Sequence, residues 1–443
     1  MVSDDDEIIM ESVNKVNRQG DRIPNIAIVY KAQDHVKLDG HDWQHIQWIS
    51  RITSCYKIDY LNLYRKFGRD DFLKYLDDYI EENNINILLF LTTYWLEFDI
   101  EMLKHLRKRV FIVYWMFDDE TIFDTFTKYY GQLADLVVTG DYYSAMKYTQ
   151  MGIDSIWYIT PWDISKYRVL DIEKSIDVSA VGRMDKDNRK ELLEYLSKNG
   201  ISVELYGDGT ERGFIGFDEM IRVFNCSKIN INTTGITTIL LTELEPAVHK
   251  IRQNKGRIGE IALTKSFCLS EYAPGIEKIF ELGKEIEVFH DKEELLQKAK
   301  YYLAHEDERE EIAKKGYERA LKEFDKDIVI PRVLRNIYNK YEKVDWNKRQ
   351  KEKIEVYFND AFKKIYSNFR FQHILHFAMK GRFDLVKQEL KIFLVYRKFD
   401  VKIFLYYVPG IKSLINPYSL VVKIKHYLMS KIKLFLRKFK SYD

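Results

Sequence analysis

Cysteine is scarce in this chain of 443 residues, which carries three. Cys55, Cys226 and Cys268 are far apart, odd in number and set among apolar or mixed neighbours, which excludes a disulfide framework and a paired-cysteine zinc site. A reducing, cytoplasmic setting is the simplest reading. Absent too is any apolar run long enough to cross a bilayer, and the opening MVSDDDEIIM is acidic where a secretory signal is basic, so the chain is expected to stay on the side where it is made. No charge of one sign dominates: the 70 lysines and arginines stand against 68 aspartates and glutamates, and no nucleic-acid partner is expected.

What remains is the composition of a globular protein. A hydrophobic content of 46% with 31% charged residues suits a globular protein, and the length allows two to three domains, each able to bury a core. Strand and helix signals alternate along it, the pattern of parallel doubly wound sheets. In a first block, residues 23–165, strands are predicted at Asn25–Tyr30, Ile85–Leu91, Val110–Trp115 and Leu136–Thr139. Helices are predicted at Trp43–Arg51 and Asp70–Glu82, where Phe72, Leu73, Leu76 and Ile80 recur at helical spacing. A second block, residues 174–327, carries strand signals at Asp177–Val181, Val203–Tyr206 and Lys228–Asn232 and a helix at Asn188–Lys198. Another helix at Lys292–Ala304 is announced by Asp291 with Glu294 three residues on. Pro161 and the polar stretch 163–174 mark the hinge between the blocks.

Residues 255–280, KGRIGEIALTKSFCLSEYAPGIEKIF, carry the richest chemistry. Lys255 and Arg257 supply cationic donors for phosphate oxygens, and Glu260 offers a carboxylate that accepts from two adjacent ribose hydroxyls. Phe267, Cys268 and Leu269 read as a short buried strand ending at the turn Glu271-Tyr272-Ala273-Pro274-Gly275, with a helix restarting at Ile276. Ligands of open α/β sheets bind at such strand ends. The hydroxyl-rich run Thr233-Thr234-Gly235-Ile236-Thr237-Thr238 follows a strand and is either a cradle for phosphate or sugar hydroxyls or a plain surface loop.

The same segment, together with residues 177–209 and the run SKININTT from Ser227, resembles the CgeB-like glycosyltransferases, a group within the GT-B superfamily. The resemblance is good over residues 177–325 and weak over 25–165. It implies a GT-B fold, two Rossmann-like domains facing a cleft: an N-terminal acceptor domain at 23–165 and a C-terminal nucleotide-sugar donor domain at 174–327. It also implies transfer of a sugar from a nucleoside diphosphate to a hydroxyl of a glycan, lipid-linked or protein acceptor. The implied donor-binding residues are Arg183, Lys186, Thr234, Gly235, Lys255, Arg257, Glu260 and Glu271. Arg183, Lys186 and Arg189 lie in a strand-to-helix turn that approaches the diphosphate in resembling proteins, and a basic residue there is otherwise simply solvated.

In the first block, Trp115-Met116-Phe117-Asp118-Asp119 is similar to the WxxDD found at the matching place in CgeB-like proteins. Asp118, Asp119 and, in the loop after the first strand, His41 are the catalytic candidates. Asp118 either orients or deprotonates an acceptor hydroxyl or caps the following helix. An aspartate pair suggests a metal, but GT-B sites use basic side chains and helix N-termini on the leaving diphosphate, so neither metal nor other cofactor is expected. One departure stands out. Many retaining GT-B enzymes carry a glutamate eight positions before the ribose-binding one, where this chain has Arg252. Either the spacing differs, and Glu243 or Glu245 serves, or the contact is absent. The departure keeps two alternatives open, a non-catalytic nucleotide- or glycan-binding protein and a nucleotide-sugar epimerase.

Past the second block, 328–350 is expected to be a crossover helix interrupted early by Pro331, and 351–443 a basic helical extension, with a flexible acidic segment at 1–22 at the other end. His373–Leu394 reads as a helical hairpin broken at Gly381. From Val401 to Lys440 there are nine lysines and arginines and no acidic residue. The pattern fits a helix on an anionic membrane surface, peripheral at the inner face, or one packed on its own domain with lysines outward.

Overall fold

A computed structural model describes residues 24–31, 41–92, 98–184, 188–236 and 251–396; the expected acidic segment 1–22 and the basic stretch 401–440 lie outside these residues. The chain divides into two units, one within residues 1–61 and 76–355, the other within 62–75 and 356–443.

The first unit holds two parallel sheets. Strands β1 (Asn25–Tyr30), β2 (Cys55–Asp59), β3 (Ile85–Thr92), β4 (Phe111–Met116), β5 (Leu136–Thr139) and β6 (Ser155–Trp157) form one, in the order β2-β1-β3-β4-β5-β6. Strands β7 (Ile176–Val181), β8 (Val203–Tyr206), β9 (Ser227–Asn232), β10 (Cys268–Glu271) and β11 (Glu287–Phe289) form the other, in the order β11-β10-β9-β7-β8. Parallel strands covered on both faces read as unbroken apolar runs. In β1, Ile26, Ala27, Ile28 and Val29 are all buried, and every residue of β4 is. In each sheet the strand order reverses once, at β1/β3 and at β7/β9, and an open parallel sheet binds ligands beyond the carboxyl ends of its strands at such a reversal.

The helix Lys326–Tyr341 returns to the first sheet: Val329, Ile330, Val333, Leu334 and Ile337 share a core with Ile28, Leu89, Val113 and Val138. Pro331 lies inside this helix and does not interrupt it, contrary to the sequence-based expectation. Proline removes one amide donor, and burial of the neighbouring apolar side chains holds the helix through the gap. The chain thus crosses between the sheets twice, and the crossings are paired. Trp162 N–H donates to the Phe324 carbonyl at 2.7 Å and Lys326 N–H to the Trp162 carbonyl at 2.9 Å. The Trp162 indole lies against the helix Arg257–Ala262 at Gly256 and Gly259, where a Cβ would come within 2.6 and 2.5 Å of it.

At the opposite, amino edge of the first sheet, Asp135 is enclosed by two guanidiniums. Arg107 reaches it at 3.0 Å, Arg349 makes a closer pair, and the Ile112 amide donates to it at 2.7 Å. Arg349 belongs to the short helix Trp346–Lys351 and also bonds the Arg107 carbonyl at 2.5 Å.

The second unit is built on an antiparallel hairpin, helices Asp360–Met379 and Phe383–Tyr396, which turns at Gly381 with φ of 70°. Asn359 caps the first helix through the Phe362 amide at 2.8 Å. Buried Arg370 lies over the rings of Tyr64 and Tyr366 and reaches buried Glu389 at 3.5 Å, so the pair is desolvated inside the unit's core.

Candidate functional site

The loops after β7 and β9 flank the reversal point of the second sheet, and the side chains there form one bonded cluster. Gly182, directly after β7, has φ of 145°, and a Cβ would collide with the Arg189 guanidinium, so the turn closes only with glycine. Arg189 opens the helix Arg189–Lys198, is buried, and donates Nε to Thr233 Oγ1 at 2.7 Å and Nη1 to the Arg183 carbonyl at 2.9 Å. Lys255 Nζ donates to the carbonyls of Thr233 and Gly235 at 3.0 and 2.5 Å. Glu271, the last residue of β10, is buried and accepts from the Thr234 amide at 2.7 Å, Asn188 Nδ2 at 2.8 Å and Arg252 Nε at 3.0 Å.

This geometry brings Thr234, Gly235, Lys255 and Glu271 together and joins the exposed Arg183 to them through its carbonyl. Arg257 and Glu260 form a separate pair on the helix Arg257–Ala262, 2.6 Å apart. The Arg257 guanidinium lies 5.5 Å from the Phe224 ring centroid, and the Tyr167 hydroxyl is 3.5 Å from Glu260 Oε1. Burial, and then the Glu260 carboxylate, push the Tyr167 phenol well above its ordinary value. The helix begins at Arg257, so Glu260 lies in its first turn. Lys186, Thr237, Thr238, Glu243 and Glu245 lie outside the described residues.

At the carboxyl end of β4, Asp118 has φ of 52° and ψ of 33°, a left-handed conformation that costs a non-glycine residue about 1–2 kcal/mol. It stands at the cap position of the helix Asp119–Ile122 without capping it; its Oδ1 accepts from Gln253 Nε2 at 2.5 Å. Asp119 is fully buried, accepts from Thr127 Oγ1 and, at 3.2 Å, from the Tyr148 hydroxyl, and has no partner for Oδ2 among the described residues. Burial lifts its carboxyl to about 7, the Thr127 bond opposes the rise, and Asp141 adds to it. Glu120 is raised as well, by desolvation and then by Asp141 and Asp118. His41 is the first residue of the helix His41–Ile52, and its side chain lies outside the described residues. Among the described residues no three histidine, cysteine or acidic side chains are grouped to hold a metal ion.

Gln253 was not among the residues singled out by sequence, whereas Arg189 was, as a cation of the turn after β7. Arg189 had a local signal, a cation at the start of a helix after a strand. Gln253 had none, because its partner Asp118 is 135 positions away.

Two parallel sheets with flanking helices match the architecture of GT-B glycosyltransferase structures. A glycosyltransferase from Rickettsia africae superposes with a TM-score of 0.52 at 11% identity, over 73% of this chain and all of the other. HepE from Anabaena, solved in complex with UDP, superposes with a TM-score of 0.53 at 12% identity, over 71% of this chain and all of that one. A sucrose-phosphate synthase from Thermosynechococcus elongatus gives 0.51 at 10% identity, over 72% and 100%. Residues 188–332 match the family described as glycosyl transferase-like. No curated protein matches the chain by sequence.

Proposed function

We propose that this chain is a glycosyltransferase of the GT-B type, moving a sugar from a nucleoside diphosphate to a hydroxyl of a glycan, lipid-linked or protein acceptor without a metal ion. The observation that carries the reading is the cluster at the β7/β9 reversal, where Arg189, Arg252 and Lys255 gather around the Thr233–Gly235 loop beyond the strand ends. Cations and oriented amides at such an edge stabilise the charge that builds on a departing diphosphate. In this mechanism Arg183, Lys255 and Arg257 face the phosphates, Glu260 anchors the ribose hydroxyls, and Asp118 orients the acceptor hydroxyl. The family match over 188–332 and the UDP bound to HepE support a nucleotide-sugar donor.

Thermal-shift measurements with UDP, GDP, ADP and CMP, with and without EDTA, test the donor site, since a ligand of the native state raises the melting temperature. One nucleotide is expected to give an EDTA-insensitive shift. Glu260→Ala should then weaken its binding by about tenfold, a loss of about 1.4 kcal/mol, with the fold intact. Unchanged affinity would remove Glu260 from the site. Arg252, paired to Glu271 where many retaining enzymes have a glutamate, favours one second reading, nucleotide binding without transfer. Product analysis with candidate acceptors separates the two.

The protein is further proposed to work in the cytoplasm, held at an anionic membrane surface by residues 401–440. Among the described residues no helix is long and apolar enough to cross a membrane. Truncation after Tyr396 should abolish co-sedimentation with phosphatidylserine vesicles at low salt and leave folding unchanged. Equal sedimentation of both forms would sink the anchor.

A further inference from the structure

Gln253 is tied by its backbone to the loop after β9 and by its side chain to Asp118, just past the end of β4. Its amide donates to the Thr234 carbonyl at 3.0 Å, and its neighbour Arg252 is bridged to Gly235 by backbone and to Glu271 by side chain. Two residues on, Lys255 binds the carbonyls of Thr233 and Gly235. The segment 252–255 is thus fastened to the loop after β9 by three hydrogen bonds, one from the Gln253 amide and two from Lys255. From it the Gln253 carboxamide extends to Asp118, beyond β4, and donates at 2.5 Å.

Two features of Asp118 make this contact more than incidental. Its left-handed backbone is one that few residues other than glycine, asparagine and aspartate adopt, and it sets where the side chain points. Its carboxylate has given up the adjacent helix N-terminus, where an aspartate at the cap position is ordinarily worth about 1 kcal/mol. Both costs are met in a conformation that turns the carboxylate toward Gln253. The donor, moreover, is an amide. A lysine or arginine would cancel the carboxylate's charge, whereas an amide fixes one oxygen and leaves the charge and the second oxygen to a further hydroxyl.

We propose that Gln253 is a positioning residue that couples occupancy of the loop after β9 to the orientation of Asp118, so that a bound nucleoside diphosphate sets the carboxylate for the acceptor hydroxyl. The inference rests on the donor-site reading above. A ligand that orders 233–235 also orders 252–255 through these three bonds, and Gln253 carries that order across to residues 117–122. Such coupling is a free energy shared by two sites, and typical values correspond to factors of about 5–150.

Amide hydrogen exchange of the full chain, measured with UDP, GDP and ADP in separate samples, tests this without an acceptor. In the wild type the nucleotide that binds should slow exchange in 232–236 and 251–256, and also in 117–122 by about fivefold or more. In Gln253→Met, which keeps the length and loses the donor, the first two segments should still be protected and 117–122 should not. A melting temperature within a degree or so of wild type shows that the variant folds. Protection confined to 232–256 in the wild type, or retained at 117–122 in Gln253→Met, overturns the coupling while leaving the donor site standing. Protection nowhere, with any of the three nucleotides, removes the donor-site reading and the coupling with it.

Discussion

At pH 8 the Asp119→Asn protein is expected to be more stable than the wild type, by up to about 4 kcal/mol, and the advantage should vanish near pH 4. The side chain is wholly buried, and its carboxyl is lifted from an ordinary 3.8 to about 7 by desolvation. Below 3.8 the folded and unfolded chains both hold the proton, and the group is silent. Between 3.8 and about 7 the folded chain keeps a proton the unfolded chain has lost, so stability falls as pH rises, by about 1.4 kcal/mol per unit. Above 7 the folded protein carries an ionised carboxylate with one oxygen unpartnered among the described residues, a constant penalty of about three units at about 1.4 kcal/mol each. Asparagine keeps an oxygen for Thr127 and Tyr148 and does not ionise. Urea unfolding of both proteins from pH 4.5 to 8 checks this: the wild-type profile should decline more steeply than the variant's, which keeps the contributions of Glu120 and Asp141. Parallel profiles would show that Asp119 is solvated or paired in solution.

Asp135→Ala should cost about 3–5 kcal/mol, the usual loss when one partner leaves a buried ion pair. Three groups lose the carboxylate together: Arg107 and Arg349, each left with backbone carbonyls, and the Ile112 amide. The side chains of Arg107 and Arg349 are 14% and 7% exposed, so water cannot replace the carboxylate fully. Asp135→Asn, which keeps an acceptor for Ile112 and one guanidinium, should fall between alanine and wild type. The urea midpoint reads both, and a loss below about 1 kcal/mol for Asp135→Ala would place this cluster among ordinary surface pairs. Because Arg349 follows the returning helix, the same substitution should loosen that helix before the second sheet, visible as faster amide exchange over 326–351.

The parts of the fold that were legible in sequence are those with a local signal. β1, β5 and β8 run where their apolar, β-rich residues begin and end, and the helix Lys292–Ala304 starts at Asp291, whose side chain accepts from the Glu294 amide at 2.8 Å. β2 was not legible, because only Ile58 of Cys55–Asp59 is buried; nor was β6, three residues long with none fully buried. The stretch after β4 was opaque for another reason: a short helix, a π-helical turn at Phe123–Thr127 and another short helix follow one another, with no single period to read. In the site, Thr234, Gly235, Lys255 and Glu271 announced themselves as a hydroxyl-rich loop and as charges beside a strand and a turn. The burial of Asp119 and the reach of Gln253 depend on which elements fold over them, and no window of neighbouring residues contains that information.

The paired crossings at Trp162 and Asp325 determine how the two sheets can move. Two connections hydrogen-bonded side by side leave little room for sliding or separation and define a single pivot, so any opening of the molecule is a swing about that line. The Trp162 indole rests on Gly256 and Gly259, beside the Arg257–Glu260 pair. A swing therefore presses or relieves the very turn of helix that carries these two charges, so the angle between the sheets and the setting of this pair are tied through one indole.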